Sequence, residues 1–438
     1  MFNSRFRALA AVVAFATAAL AACGGGSNDD DGASIRLVNG TLTHASLNLL
    51  ANSETIVTGT ALDTASGYVG VPDGSPSLQV NDATTGAVLA VTAPTITGGQ
   101  QVALLAYESG GAVRTAVIAE DNEPPASGTA ILRTFNAATD AGSIDVYITD
   151  PAVDITTLAS PTFSFTASTS VQASNFLSFG APSPAGATYR VRVTGAGNTA
   201  DLRLDIPSVV LTNQQVGTVI LTPTAGGTLA NGSVLIEDAG YIASRNTSAR
   251  VRLFAAVNNA ASVSASAGGT PIATNVVSPV VGTYVNVPSG SAISISVNGA
   301  AVAAPAAMPA AGSDSTLMVY GNSASPTATL ITDDNHLPAA ITNYKLRLIN
   351  GLTGAAQPLS MDVNFIPVAT SIQPGSASAY TVLQATPLTA TQISVISPSS
   401  PTPIFTTTPS LQGSAVYTLF MLGDAGASPA GAQLRRDR

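Results

Sequence analysis

Hydrophobic residues along this chain fall into short runs of Val, Ile, Leu, Thr and Tyr, separated by clusters of Gly, Pro, Ser, Asn and Asp. Many runs alternate apolar and polar residues, as in Ile293-Ser294-Ile295-Ser296-Val297, which is the period of a strand with one buried and one wet face. Helical periodicity is almost absent after Ile35. The Ala-rich stretch 300–311 is broken by Pro305 and Pro309, with Gly312 following. Short strands and turns at regular spacing predict an all-β chain built of sandwiches or barrels.

One run recurs. Ile35-Arg36-Leu37-Val38-Asn39-Gly40 returns as Leu132-Arg133-Thr134-Phe135-Asn136-Ala137, as Val251-Arg252-Leu253-Phe254-Ala255-Ala256, and as Leu346-Arg347-Leu348-Ile349-Asn350-Gly351. The four arginines are 97, 119 and 95 residues apart, the length of one small domain each. The same elements follow each time. An aromatic segment runs into a turn (Tyr68, Phe176, Tyr284, Tyr380), and an alternating strand comes next. A strand such as Gln101–Tyr107 or Thr316–Tyr320 follows, and the last strand ends in acid: Glu120-Asp121, Glu237-Asp238, Asp333-Asp334 and Asp437. The predicted architecture is a tandem array of four immunoglobulin-like or transthyretin-like β-sandwiches at 34–124, 128–240, 247–338 and 343–438. About 12 to 14 residues separate each terminal Asp from the next Arg, so the units are expected to form a rod or gently bent string.

Residues 1–22 have the form of an export leader, with Arg5 and Arg7 followed by an apolar stretch from Ala8 to Ala22. That stretch is too short for a confident transmembrane helix. Leu20-Ala21-Ala22-Cys23-Gly24 resembles a bacterial lipobox, which implies cleavage before Cys23 and lipid on its thiol. Cys23 is the only cysteine, so no intrachain disulfide or thiolate metal site can form. Residues 23–33, including GGGSNDDDG, read as a flexible acidic tether. Gly24 after the lipidated Cys, rather than Asp, implies sorting to the bacterial outer membrane, with the periplasmic or surface face open.

Composition narrows the function classes. Only 9% of residues are charged, Lys345 is the sole lysine, and the net charge is −9. Nucleic acid and anionic lipid both require a basic patch that is missing. Two histidines, His44 and His336, occupy unrelated places in their units, and no Gly-x-Ser-x-Gly elbow appears. With no Trp and 5% aromatics, a sugar-stacking cleft is poorly supplied. Too few histidines are present for zinc. Calcium is the one metal with candidate ligands, in the acidic junctions at Asp121 and at Asp333, Asp334 and Asn335; solubilising acid at strand ends is the plainer reading. No cofactor is expected. Arg36, Arg133, Arg252 and Arg347 are read as structural, because an apolar residue two positions on (Val38, Phe135, Phe254, Ile349) shares the Arg face. The Asn at Arg+3 in three copies (Asn39, Asn136, Asn350) fits a strand-ending turn.

The Arg strand, the Tyr–Val–Pro–x–Gly segment, the Tyr417-Thr418-Leu419 strand and the terminal acid together resemble the bacterial domain-of-unknown-function family 4397. So do the acid-bearing strands Ile144-Asp145-Val146-Tyr147 and Met361-Asp362-Val363-Asn364; the matching stretches Ser46–Leu49 and Ser262–Ala265 lack the acid. The resemblance implies extracytoplasmic, often lipid-anchored, tandem β-domains, and no chemistry. The resulting expectation is a non-enzymatic envelope lipoprotein, held to the membrane through Cys23, acting as spacer, adhesion or binding module toward an envelope protein or glycan. A scaffold or accessory subunit of an envelope complex is the alternative; a calcium-stiffened string and a cryptic hydrolase are the remaining ones.

Overall fold

A computed structural model describes residues 32–353, 357–386, 390–423 and 431–438. Cys23 and the leader lie outside the described residues. The chain is all-β, with eight small sheets of four to six strands arranged in pairs, so the tandem sandwich architecture holds. The sandwiches run over 33–119, 129–244, 248–333 and 343–436. Repeat 2 extends past the expected boundary because Tyr241–Ser244 adds an edge strand to Ala230–Ile236.

Each sandwich has one plan. In repeat 1 the Arg strand, Ala33–Asn39, lies inside the sheet with Val69–Val71 on one side and Gln101–Ser109 on the other; Ala112–Ala119 closes the far edge. The Arg strand pairs in parallel with Gln101–Ser109, the strand sixth after it, so each repeat closes back onto its own beginning. A parallel pair needs a long crossover, and the second sheet is that crossover: Glu54–Ala61, Ser46–Ala51, Leu78–Asp82 and Val88–Thr92, in spatial order. Repeats 2 to 4 repeat the parallel closure with Val216–Pro223, Asp314–Asn322 and Ala415–Leu422. Alternation along the Arg strand sends Ile35 and Leu37 into the core of repeat 1, with Leu47, Leu49, Val80 and Leu104. The other repeats each enclose a comparable core. The Ala-rich stretch after Asn298 forms only the short strand Ala300–Val302.

The Arg face of the same strand is also buried, but outside the sandwich. Val38, Leu105 and Ile118 of repeat 1 pack on Phe135, Ile220 and Leu235 of repeat 2. Phe254 and Met318 of repeat 3 pack on Ile349 and Phe420 of repeat 4. Phe254 meets Phe420 edge-on, with centroids 4.9 Å apart. The repeats therefore associate face to face as two pairs, 1 with 2 and 3 with 4. This replaces the expected rod: a short linker limits the reach of the next unit, but it does not stop that unit folding back on its predecessor.

The turn after Val216–Pro223 ties the pairs together. Gly226 N–H donates to Gly312 O at 2.8 Å, and Gly226 O accepts from Asn335 N. At Gly227, φ is +83° and an added Cβ would stand 2.6 Å from the His336 nitrogen, so only glycine fits there. Arg438 crosses the same junction, donating to Thr228 Oγ1 at 2.7 Å and to the Asp140 carbonyl.

Phe420 is fully buried yet belongs to the interface and not to its own sandwich core. Phe420→Ala is expected to destabilise by about 3–5 kcal/mol, the usual range for a buried Phe. Amide exchange in low urea should show protection falling in repeat 3 as well as repeat 4, with the core strands of repeat 1 unaffected. Unchanged protection in repeat 3 would mean that the two repeats are energetically separate.

Candidate functional site

The four repeated arginines occupy one structural position, fixed by register. Arg36, Arg133, Arg252 and Arg347 lie opposite Ala103, Thr218, Thr316 and Thr418 on the parallel neighbour. Those residues lie opposite Ile118, Leu235, Ile331 and Arg435 on the closing strand. Two positions further, hence on the same face, stand the acids Glu120, Glu237, Asp333 and Asp437. The aromatic residue just before each short edge strand covers the guanidinium: Tyr68, Phe176, Tyr284 and Tyr380 lie with ring centroids 4.5–4.7 Å from the guanidinium carbon. Arginine, threonine, aromatic and acid thus form a fourfold constellation, which alanine breaks at one place.

Between repeats 3 and 4 the constellations exchange partners. Arg252 donates Nε to its own Thr316 Oγ1 at 2.9 Å and its two Nη groups to Asp437 of repeat 4. Arg347 donates Nε to its own Thr418 Oγ1 at 3.2 Å, and Nη1 and Nη2 to the Thr332 carbonyl and the Asp333 carboxylate of repeat 3. Thr316 and Thr418 in turn donate to Asp333 Oδ2 and Asp437 Oδ2, at 2.7 and 2.6 Å. The Tyr284 hydroxyl donates to Asp333 Oδ2. The side chains of both arginines and both aspartates are at most 3% exposed. Burial by itself would push the Asp333 pKa upward, but Arg347 and Arg252 outweigh it and hold the carboxyl below its usual range.

Between repeats 1 and 2 the same positions are wired differently. Ala103 offers no hydroxyl, so Arg36 turns Nε to Glu120 Oε2 at 2.8 Å and grips its own repeat's acid with Nη2 as well. Its remaining donors reach repeat 2 at the Ile236 and Ala239 carbonyls. Arg133 donates to Thr218 Oγ1 at 3.1 Å and to the Ala119 carbonyl of repeat 1 at 2.7 Å, and forms no ion pair within 4 Å. Glu237 accepts from the backbone and side-chain nitrogens of Asn122 in repeat 1. Burial pushes its carboxyl from 4.5 up to about 7, against those hydrogen bonds.

The acids offered by the sequence as calcium ligands are engaged otherwise or stand apart. Asp333 is held by Arg347, Thr316 and Tyr284. Asp334 pairs with Lys345 and with His336 Nδ1, and Asn335 Nδ2 donates to Asp314 and Tyr284. Asp121 is exposed at the end of repeat 1. Among the described residues no group of three or more His, Cys, Asp or Glu could hold a metal ion. The junction acids answer the repeated arginines and Lys345 in place of a cation from solution. His44 Nδ1 pairs with Asp82 Oδ2 at 2.9 Å, a hydrogen bond that, with the Thr85 N–H, draws Asp82 down to about 2. His336 bridges Asp334 and the Thr224 carbonyl. Neither ring has a serine hydroxyl among its hydrogen-bond partners in the described residues. Asn39, Asn136 and Asn350 accept from the backbone two residues on, the turn role their position suggests.

The family model for a domain of unknown function, DUF4397, matches residues 33–147 and 249–362, together just over half of the chain. The chain belongs to this family. No curated protein matches it. Each DUF4397 match covers one whole sandwich and then runs through the Arg strand of the next repeat. The first contains Arg36, Glu120 and Arg133, and the second Arg252, Asp333 and Arg347. The matched segment therefore takes in the contact between paired repeats, where an arginine of one reaches the closing-strand end of the other.

Sequence reading found the arginines and the acids but missed that they meet. The threonines at Arg-opposed positions were a usable signal: Thr218, Thr316 and Thr418 recur one turn of the pattern after the aromatic residue, and only Ala103 departs.

Two measurements test this arrangement. Arg252→Ala leaves Asp437 buried without its cation, and is expected to destabilise repeats 3 and 4 together by about 3–5 kcal/mol in urea unfolding, with Arg252→Lys recovering little. Glu237 gives a pH signature. The folded carboxyl keeps its proton up to about pH 7 whereas the unfolded one releases it near 4.5, so the folded state binds more protons in between and stability falls as pH rises across that window. Glu237→Gln should flatten this slope in melting temperature against pH; an unaltered slope would place the titration elsewhere.

Proposed function

We propose that the protein is a non-enzymatic cell-envelope lipoprotein, anchored to the bacterial outer membrane through lipid on Cys23, whose four-repeat body serves as a stiff spacer and binding module. The observation that carries this reading is the exchange of arginine and carboxylate between repeats 3 and 4, with its counterpart between repeats 1 and 2. The charged residues that recur in every repeat are committed to holding repeats together. They are buried, matched to one another and closed to substrate. Such locking suits a body that must keep its form at a distance from its attachment point. The GGGSNDDDG tether would join the lipid to the first sandwich, and the acidic surface would keep the body from adhering to anionic lipid.

The test is metabolic labelling with an alkyne fatty acid, followed by membrane fractionation. The wild-type chain should take up label and sediment with outer membranes, and Cys23→Ser should lose the label and appear in the soluble fraction. A Cys23→Ser protein that still sediments with the membrane would overturn lipid anchoring.

A further inference from the structure

A cleft of about 760 Å³ opens where repeat 1, repeat 2 and the segment joining repeats 3 and 4 converge. Junctions of this kind are where small-molecule sites concentrate. Asp140 lines it, on the short turn Thr139–Ala141, and is 8% exposed. The Asp140 carbonyl is used by Arg438. Its carboxylate has a single printed donor, Ser109 Oγ at 3.5 Å, the outer limit for a hydrogen bond, and no cation within ion-pair distance among the described residues. Burial raises its pKa, with His336 and Arg438 opposing that rise. A carboxylate this buried ordinarily has several donors, so Asp140 is short of a partner on the cleft side.

Arg114 lines the same cleft, opposite Tyr107 in the hairpin of repeat 1. It is exposed and has neither a carboxylate nor a hydrogen-bond acceptor among the described residues. Arg114 and Asp140 are not paired with each other. The apolar wall is also incomplete: Val91 is 61% exposed and Ile341 67% exposed, with Leu337 beside them. An unmatched anion, an unmatched cation and exposed aliphatic side chains in one concavity are complementary to a molecule carrying an ammonium, a carboxylate and an apolar group.

We propose that this cleft binds an apolar amino-acid-type zwitterion, with its ammonium on Asp140, its carboxylate on Arg114 and its side chain against Val91, Leu337 and Ile341. The site is independent of the anchoring reading, since none of its residues belongs to the tether or to the arginine lock.

Titration calorimetry of the full-length protein with L-leucine and with leucyl-leucine tests it, and separates a free amino acid from a dipeptide as the better fit. Leucinamide, which lacks the carboxylate, and N-acetyl-leucine, which lacks the ammonium, should each bind about tenfold to a hundredfold more weakly, as expected for loss of one charge-assisted hydrogen bond. Arg114→Ala should abolish the preference over leucinamide and Asp140→Asn the preference over N-acetyl-leucine. Arg114 is exposed, so its variant tests the site even if the Asp140 variant unfolds. Absence of saturable binding by both leucine and leucyl-leucine would overturn the proposal, as would binding that is indifferent to Arg114→Ala.

Discussion

A guanidinium buried between two β-sheets has to be answered where it lies, because removing it from water costs several kcal/mol that only close opposite charge and full hydrogen bonding offset. The rest of this structure follows from how that requirement is met. Parallel closure of each sandwich puts the end of its last strand beside the start of its first, two strands away from the arginine and on the same face. In repeats 3 and 4 that acid is answered mainly by the partner's arginine, while the arginine's Nε stays with its own threonine. Neither sandwich can leave without baring two charges, and the apolar residues around them, Phe254 and Phe420 in one pair and Val38 and Phe135 in the other, seal the site from water.

The sequence made the strands and their order legible, since period-two alternation and turn residues are local signals. It also identified the shared face of Arg and Arg+2. It could not say what that face covers. Residues at Arg+2 looked like core residues, and they are buried, but against another repeat. A cue was present in Val251–Val257, where seven positions include only one polar residue. Such a near-continuous run belongs to a strand buried on both faces, whereas a sandwich strand with a wet outer face should alternate.

The junction acids show the same limit. Asp333 and Asp334 follow a strand and precede a linker, a context equally suited to calcium, to solubility or to pairing. Their partners, Arg347 and Lys345, come from the next Arg strand and are 14 and 11 residues away in sequence, but Arg252, which also lies near Asp333, is far upstream. Pairing of this kind depends on how two sandwiches dock, and docking is decided by complementarity of whole faces. The linker, 12 to 14 residues between charged landmarks, allows an extended string as readily as a folded-back pair. The cleft at Asp140 was equally hidden, since its walls come from three separate stretches with no common motif.

The two pairs solve the same geometric problem unequally, and one position accounts for the difference. Where Thr316 and Thr418 occupy Nε and also donate to the acids, each arginine directs its outer nitrogens across the interface, and the ion count closes at two cations and two anions. Ala103 removes one such hydroxyl. Arg36 then closes on Glu120, whose side chain is one methylene longer than the aspartate at that position in repeats 3 and 4 and reaches back within its own repeat. Arg133 is left with a carbonyl, a hydroxyl and the Phe176 ring, and Glu237 has only the amide nitrogens of Asn122. A buried carboxyl in that position holds its proton toward neutrality, so a missing hydroxyl on one strand becomes a titratable seam between two domains.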